Sequence, residues 1–459
     1  MNKRLFLLTI GLVSAAFCFA QGTRRLTING VFDLIEQNST SLREQKTGIE
    51  SAAEGVKDAK SQRLPDIGTQ LSGSYLGNAL MTDHSFGDAH GLHTPHWGNT
   101  LNIDVRQPIY AGGAIDAGIE MAKLGLESSK LSTSLNRSAL RFNALTEYLN
   151  LEKIENRKRV LKANIELTQK LIDDIKARYS QGVALKNDVT RYELQMQQLR
   201  LALTKIDNQR AIINHQLCNT LGLPEGTTVD PADDVTLMTF PKDGEASWQQ
   251  TATANSQQLQ LSEVNASLAK QKEKIARSEM LPKVAIVANN NFNGPITFEL
   301  PPIDKNLNIW YVGVGVTYQL SSLFKSNKKL RQAKLQSRQA QEQTAVAREQ
   351  LNNAVQASYT EYLQSYVELE TQQKNVQLAR ENYDVVNERY NNQLALITDM
   401  LDASNMRLDA ELSEADAKIA VAEAYYNLNS ATLLIVSGKC GQNRPECDFS
   451  CSNWLFAIS

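Results

Sequence analysis

Apolar residues in this chain follow two regimes: long stretches at helical spacing, and two pairs of short stretches that alternate. The longest helical stretch runs from Ile115 to Tyr179. In it Leu124, Leu131, Leu135, Leu145, Leu149, Ile154, Leu161, Ile165, Leu171 and Ile175 recur mostly at three-, four- and seven-residue steps, with Glu, Lys, Arg, Asn and Gln between them. That is the period of a helix, not of a strand. At 1.5 Å per residue it predicts a rod of roughly 95–100 Å, longer than a compact core needs, so it points to a coiled coil or an assembly of long helices. The stretch stops at Tyr179-Ser180-Gln181-Gly182, where the glycine suits a left-handed cap. A second helix is predicted from Lys186 or Asn187 to Leu221.

Taken in order, residues 24–64 read as helix, with Val31, Leu34, Ile35 and Leu42 opening the pattern and Leu64-Pro65 ending it. The period then switches to two. Over residues 67–80, Leu71, Gly73, Tyr75, Gly77 and Ala79 alternate with Gln70, Ser72, Ser74 and Asn78; over about 99–109, Leu101, Ile103 and Val105 alternate with Asn102, Asp104 and Arg106. A polar loop, Met81 to Gly98, joins them. Strands of about ten residues with one apolar and one polar face fit a barrel wall between lipid and water, or a hairpin on a soluble core. The long helix follows at about 113–180 and the second at about 187–221. Residues 223–247, with Pro224, Pro231 and Pro241, read as an irregular linker.

The second half repeats the first. A helix ends at Leu281-Pro282, strands are predicted at about 283–291 and 309–320, a long helix at about 324–390 and a last helix at about 399–434. Ala122-Lys123, Tyr179, Ala184-Leu185 and Asp188 recur as Ala333-Lys334, Tyr390, Ala395-Leu396 and Asp399, all at a step of 211. The chain thus divides into a first repeat (21–222), the linker, a second repeat (248–437) and a tail (438–459) holding Cys440, Cys447 and Cys451.

Composition narrows the picture. Lys3 and Arg4, then an apolar run from Leu5 to Phe19 and Ala20, read as a secretory signal at residues 1–20. Phe17 before Cys18 does not fit a lipoprotein signal. No other stretch is long and apolar enough for a membrane helix, so a membrane position requires a closed β-barrel. Forty-eight basic and fifty acidic residues give a formal charge of −2, with no basic excess to suggest a nucleic-acid partner. No nucleophile–base–oxyanion grouping is visible, and Gly112-Gly113 and Gly313/Gly315 lack the Lys-Ser or Lys-Thr of a phosphate loop. No enzyme and no cofactor are expected. Four strands per chain are too few for a barrel, so closure by oligomerisation is expected; three chains would supply twelve strands.

At the helix breaks the chain resembles the TolC family of outer membrane efflux proteins, and the resemblance covers about residues 24–437. Arg178-Tyr-Ser-Gln-Gly-Val-Ala-Leu-Lys-Asn-Asp-Val189 is similar to the family's first tip turn, and Arg389-Tyr-Asn-Asn-Gln-Leu-Ala-Leu-Ile-Thr-Asp-Met-Leu-Asp-Ala403 to the second. The resemblance implies a homotrimer in the outer membrane of a Gram-negative bacterium, with a large periplasmic part. The implied fold is mostly α with transmembrane β: a trimeric 12-stranded β-barrel continued by a long periplasmic α-helical barrel, closed at its tip. The implied partners are a periplasmic adaptor (membrane fusion) protein, an inner membrane pump and outer membrane lipid. Asp399 and Asp402 match the acidic positions of the family's periplasmic constriction, and Tyr179, Gly182, Asp188 and Tyr390 match its tip turns and closing network. The family's locking arginine falls on Ala395 and the second turn glycine on Gln393; Arg389 is a substitute for the lock.

The residue chemistry agrees. Threefold symmetry would make two rings of carboxylates from Asp399 and Asp402, which favour cations. Asp399 also fits an N-cap after Thr398, and Asp402 an N3 position favoured by the helix dipole. His84, His90, His93 and His96 share one predicted loop and could hold a divalent metal, or be a polar surface loop. Cys218, Cys440, Cys447 and Cys451 could form disulfides in an exported protein. Rival readings are a non-transporting helical rod anchored in the outer membrane, which the absence of strict Ile/Leu heptads disfavours, and a soluble adaptor, which the duplication disfavours. Drugs, metal ions and proteins would all use such a duct, so cargo stays open.

Overall fold

The computed structural model describes residues 22–241 and 243–432. It falls into two compact units. The first comprises residues 22–44, 133–257 and 348–432 and is mainly helical; the second comprises 45–132 and 258–347 and holds the main sheet.

In the sheet unit, β2 (Asp66–Tyr75), β5 (Trp97–Tyr110), β7 (Lys283–Gly294) and β8 (Leu307–Thr317) form one antiparallel sheet in the order β2-β5-β7-β8. The second strand of the first repeat therefore pairs with the first strand of the second. Leu101 stands opposite Leu71 and Phe292, and Asn102 opposite Gln70 and Asn291, so each face is consistent from strand to strand. One face carries Ile67, Leu71, Tyr75, Trp97, Leu101, Ile103, Trp310, Val312, Val314 and Val316, all exposed. The other carries Gln70, Ser72, Thr100, Asn102, Asp104, Asn289 and Asn291, with Asn289 Nδ2 donating to Asn102 Oδ1 at 2.9 Å. Within the chain β2 and β8 each keep one unpaired edge. β3 (Ala79–Met81) and β4 (His90–Leu92) form a separate small hairpin. At the end of β5 the chain bends through Gly112 (φ +65°), where a Cβ would lie 2.8 Å from the Ser278 carbonyl oxygen.

In the helical unit, β1 (Thr23–Leu26) pairs in parallel with β6 (Thr228–Pro231). α1 (Ile28–Asn38) follows, its first N–H groups held by Thr27 Oγ1, which accepts from Gly30 N at 3.1 Å, and by Asp233 Oδ2, which accepts from Ile28 N at 2.7 Å. α2 (Thr40–Ser61) begins in this unit and continues in the other. α3 (Ala114–Ser180) and α7 (Ser322–Asn391) are the long helices, which begin in the sheet unit; α4 (Lys186–Leu221) and α8 (Ile397–Ala431) follow them. α5 (Glu245–Asn255) lies in the helical unit, and α6 (Gln257–Ser278) belongs almost wholly to the sheet unit. One buried core gathers Ile35, Tyr148, Leu149, Leu217, Val235, Trp248, Tyr362 and Tyr425; a second gathers Ile172, Ile175, Tyr192, Met196, Tyr383 and Met400.

The structure corrects several boundaries. Residues 24–64 are not one helix: a strand comes first, and extended backbone at Ser39 splits the rest, as it does at Ser256 between α5 and α6. The 67–80 strand ends at Tyr75, and Ala79–Met81 pairs elsewhere. The linker 223–247 is not irregular throughout; it supplies β6, a 3₁₀ turn at Val235–Leu237 and the start of α5. β7 continues to Gly294, into what reads as an Asn-, Gly- and Pro-rich loop. The last helix begins at Ile397, not at 399. A second step also emerges. Leu64-Pro65 and Leu281-Pro282 are 217 apart, so the second repeat is six residues shorter between its first helix and its long helix. The signal segment and the tail cysteines lie outside the described residues.

Candidate functional site: the paired helical turns

The two turns that join α3 to α4 and α7 to α8 are built alike. In the first, Gly182 N–H donates to the Tyr179 carbonyl (3.0 Å) and Val183 N–H to that of Arg178 (2.9 Å). In the second, Gln393 N–H donates to Tyr390 (3.0 Å) and Leu394 N–H to Arg389 (2.7 Å). This pairing closes a helix C-terminus through a left-handed residue. Gly182 has φ +78° and Gln393 φ +60°, so a residue with a Cβ holds the conformation that its repeat partner leaves to glycine.

The following helices start alike too. Leu185 and Leu396 are extended N-caps whose side chains have no acceptor. Asp188 Oδ2 accepts from Leu185 N–H at 3.1 Å, and Asp399 Oδ2 from Leu396 N–H at 2.9 Å. Both carboxylates sit at N3, favoured by the free N–H groups and the helix dipole. Asp399 is therefore not the N-cap, and Asp402 lies one turn further along rather than at N3. Both are exposed. The residue equivalent to Asp402 in the first turn is Arg191, so the second turn is the more acidic.

One side chain joins the two turns. Arg178 Nε donates to Asp174 Oδ2 (2.8 Å), Nη2 donates to Asn391 Oδ1 (2.7 Å), and the guanidinium lies 5.7 Å from the Tyr390 ring centre. Its repeat equivalent, Arg389, the expected substitute for the lock, is exposed, and the bridging arginine is Arg178. The step of 211 makes the two arginines equivalent, and only packing separates their roles. Tyr390 packs on the core of Ile175, Tyr192 and Met400. Burial pushes its phenol up, the Asp188 charge pushes it further, and the Arg178 charge opposes both. Tyr179 and Gly182 contribute backbone closure. Around the turns Val183, Leu185, Leu394 and Leu396 stand more than half exposed.

Away from the turns, Glu411 of α8 was not singled out by sequence. Its carboxylate accepts from Arg380 Nε and Nη2 of α7 (3.1 and 3.0 Å), Arg407 Nε (3.2 Å) and Asn164 Nδ2 of α3 (3.2 Å). It thereby ties three helices. Although burial opposes its charge, these donors hold its pKa below the usual range. The i,i+4 spacing of Arg407 and Glu411 was the available signal.

The histidines do not converge. His90 Nε2 lies 3.0 Å from Asp88 Oδ1, His96 Nδ1–H donates to the Leu76 carbonyl (2.8 Å) with its ring stacked on Tyr75, and His93 meets only the edge of His96. No group of three or more His, Cys, Asp or Glu side chains that could hold a metal ion forms among the described residues, the candidates His84, His90, His93 and His96 included. Cys218 is a buried free thiol among the described residues, and its Sγ–H donates to the Thr227 carbonyl (3.3 Å). Cys440, Cys447 and Cys451 lie outside the described residues.

A chain with a two-faced β-sheet, long helices and an internal duplication belongs to a recognisable class of membrane protein. A family-level sequence profile for outer membrane efflux proteins matches residues 31–223 and 248–432, most of the chain and one copy per repeat. The chain belongs to that family, and is an outer membrane protein with a large periplasmic helical part. Its fold matches solved channels. The outer membrane protein VceC of Vibrio cholerae superposes with a TM-score of 0.74 at 16% identity, over 90% of this chain and 96% of that one. The CmeC outer membrane channel of Campylobacter jejuni gives 0.72 at 16%, over 88% and 85%. The open-state MtrE outer membrane channel of Neisseria gonorrhoeae gives 0.70 at 15%, over 88% of each. Compared with curated proteins by sequence, the chain matches none.

Proposed function

We propose that this chain is the outer membrane exit duct of a three-part efflux or secretion system, conducting cargo passively from a periplasmic adaptor and an inner membrane pump to the exterior. The observation that carries this reading is the sheet. It has an exposed apolar face, an opposite polar face and two unpaired edges. Water-exposed apolar faces and open edges are costly. Lipid against the apolar face, and β8 of one copy against β2 of the next, remove both costs. Three copies give twelve strands around a polar lumen. The duct performs no chemistry, and the pump supplies the energy.

The paired turns are the periplasmic gate in this reading. Arg178, Tyr390 and Asp188, with Tyr179 and Gly182 shaping the backbone, hold the turns of one chain together. Asp399 and Asp402 of three chains form the acidic constriction, where their carboxylates attract cations. The exposed Val183, Leu185, Leu394 and Leu396 are the apolar contacts offered to the adaptor.

The test is single-channel recording of detergent-purified protein in planar bilayers, with native mass measured on the same sample. A three-chain particle with small, cation-preferring, mostly closed currents is the expected result. A water-soluble monomer refutes the barrel. An inserted trimer that stays silent even when Arg178 is replaced refutes the duct in favour of a rod.

A further inference from the structure

Away from the paired turns, the helical unit buries one carboxylate among the described residues, Glu152 of α3. The segment after β6 crosses α3 at Tyr148 and Glu152, one turn apart. Tyr148 is fully buried; its hydroxyl donates to the Leu26 carbonyl (3.0 Å) and accepts from the N–H groups of Ala232 and Asp233 (3.1 Å each). Glu152 is 7% exposed, and its Oε1 accepts from Val235 N–H at 3.0 Å. Its Oε2 is buried without a partner among the described residues. A carboxylate in that setting is poorly solvated when charged.

The surrounding charges sharpen the point. The strap itself carries Asp233 and Asp234, both repelling a negative Glu152. From α3, Arg159 opposes them but is itself exposed, and Tyr148 is neutral, its phenol pushed up to about 12, chiefly by burial. From α8, Glu414 and Lys418 line the cavity against Thr236 and pair with each other at 2.9 Å. No cation is therefore bonded to Glu152 among the described residues.

We propose that Glu152 is a proton-operated clasp: protonated, it holds residues 232–237 on α3, and ionised, it loosens that strap. Burial first, then Asp234 and Asp233, raise its pKa from 4.5 to about 7, against the Val235 N–H and Arg159. The sign follows from linkage. The folded value lies above the ordinary one, so the clasp is fully held below about pH 4.5 and weakens as pH rises toward 7. Each pH unit in that window favours the open strap up to tenfold, so the rise from pH 5 to 7 changes it by up to ~100-fold.

Hydrogen exchange of the full-length, detergent-purified protein tests this, with rates divided by those of unstructured peptides at each pH. Between pH 5 and 7.5 the protection of Val235 N–H is expected to fall by about 10- to 100-fold, while Leu149 and Leu151 of α3 stay constant. Glu152→Gln keeps an acceptor for Val235 but cannot ionise, so its protection should be flat. A flat wild-type profile overturns the proposal, and so does an equal fall in E152Q. If E152Q does not fold, the wild-type profile decides alone: a fall confined to 232–237 supports the clasp, and a fall shared with α3 overturns it.

Discussion

Replacing Arg178 by alanine removes the side chain that crosses from one turn to the other. Its bond to Asn391 is charge-assisted and short, and such bonds contribute about 1.5–3 kcal/mol when shielded. The Arg178 side chain is 28% exposed, which reduces this to about 1 kcal/mol. The position over Tyr390 adds about 0.5 kcal/mol. The bond to Asp174 stays within α3, so its loss does not separate the turns. The two crossing contributions sum to about 1.5 kcal/mol per chain, close to a tenfold shift toward separated turns. With three chains opening together, the shift is at most ~1,000-fold. In planar bilayers, open probability should rise by at least tenfold in R178A. Asn391→Ala should reproduce most of the rise, and the double variant should add little to either. Arg389→Ala, at the equivalent position of the other repeat, should change it little. Equal effects of R178A and R389A, or unchanged gating in both R178A and N391A, would refute the latch.

Replacing Asp399 and Asp402 together by Asn should lower cation preference, read as a reversal-potential shift toward zero in a salt gradient; an unchanged potential rules out the acidic constriction. Gln393→Gly relieves a left-handed residue that costs about 1 kcal/mol, less the entropy glycine adds when unfolded. A net gain of about 0.5 kcal/mol should appear as slower exchange at Leu394 N–H, and faster exchange there contradicts the strain. Glu411→Gln leaves Arg407 and Arg380 without their shared charge. Because Arg380 is 56% exposed, the expected loss is about 2 kcal/mol, below the value for a fully buried pair. Since the folded pKa of Glu411 is lowered, its contribution is complete above about pH 4.5 and fades as pH falls further. Denaturation midpoints of wild type and variant should therefore draw together as pH falls below about 4.5, and a difference that does not shrink with falling pH argues against the carboxylate.

Periodicity, proline and glycine placement and the repeat were enough to fix much of this protein. The period-two faces of β5 and β8, the helical runs of α3 and α7, and the step of 211 linking Tyr179 to Tyr390 are local or pairwise patterns. They survive because every residue in them contributes the same signal. What sequence missed lies where the pattern is short or the partner is distant. β1 and β6 are four residues each and become strands only by pairing across some two hundred residues. The breaks at Ser39 and Ser256 carry no proline. Asp399 reads as an N-cap until backbone geometry moves the cap to Leu396. Arg178 and Arg389 occupy equivalent positions in two repeats, and no local rule separates them. Tertiary packing does so, by placing Asn391 and Tyr390 within reach of one guanidinium and leaving the other in solvent. The convergence of Arg380, Arg407 and Asn164 on Glu411, and the unmatched oxygen of Glu152, arise in the same way. Charge and hydrogen-bond partners from separate helices meet only when the helices pack, whereas the helices themselves are written in the spacing of their apolar residues.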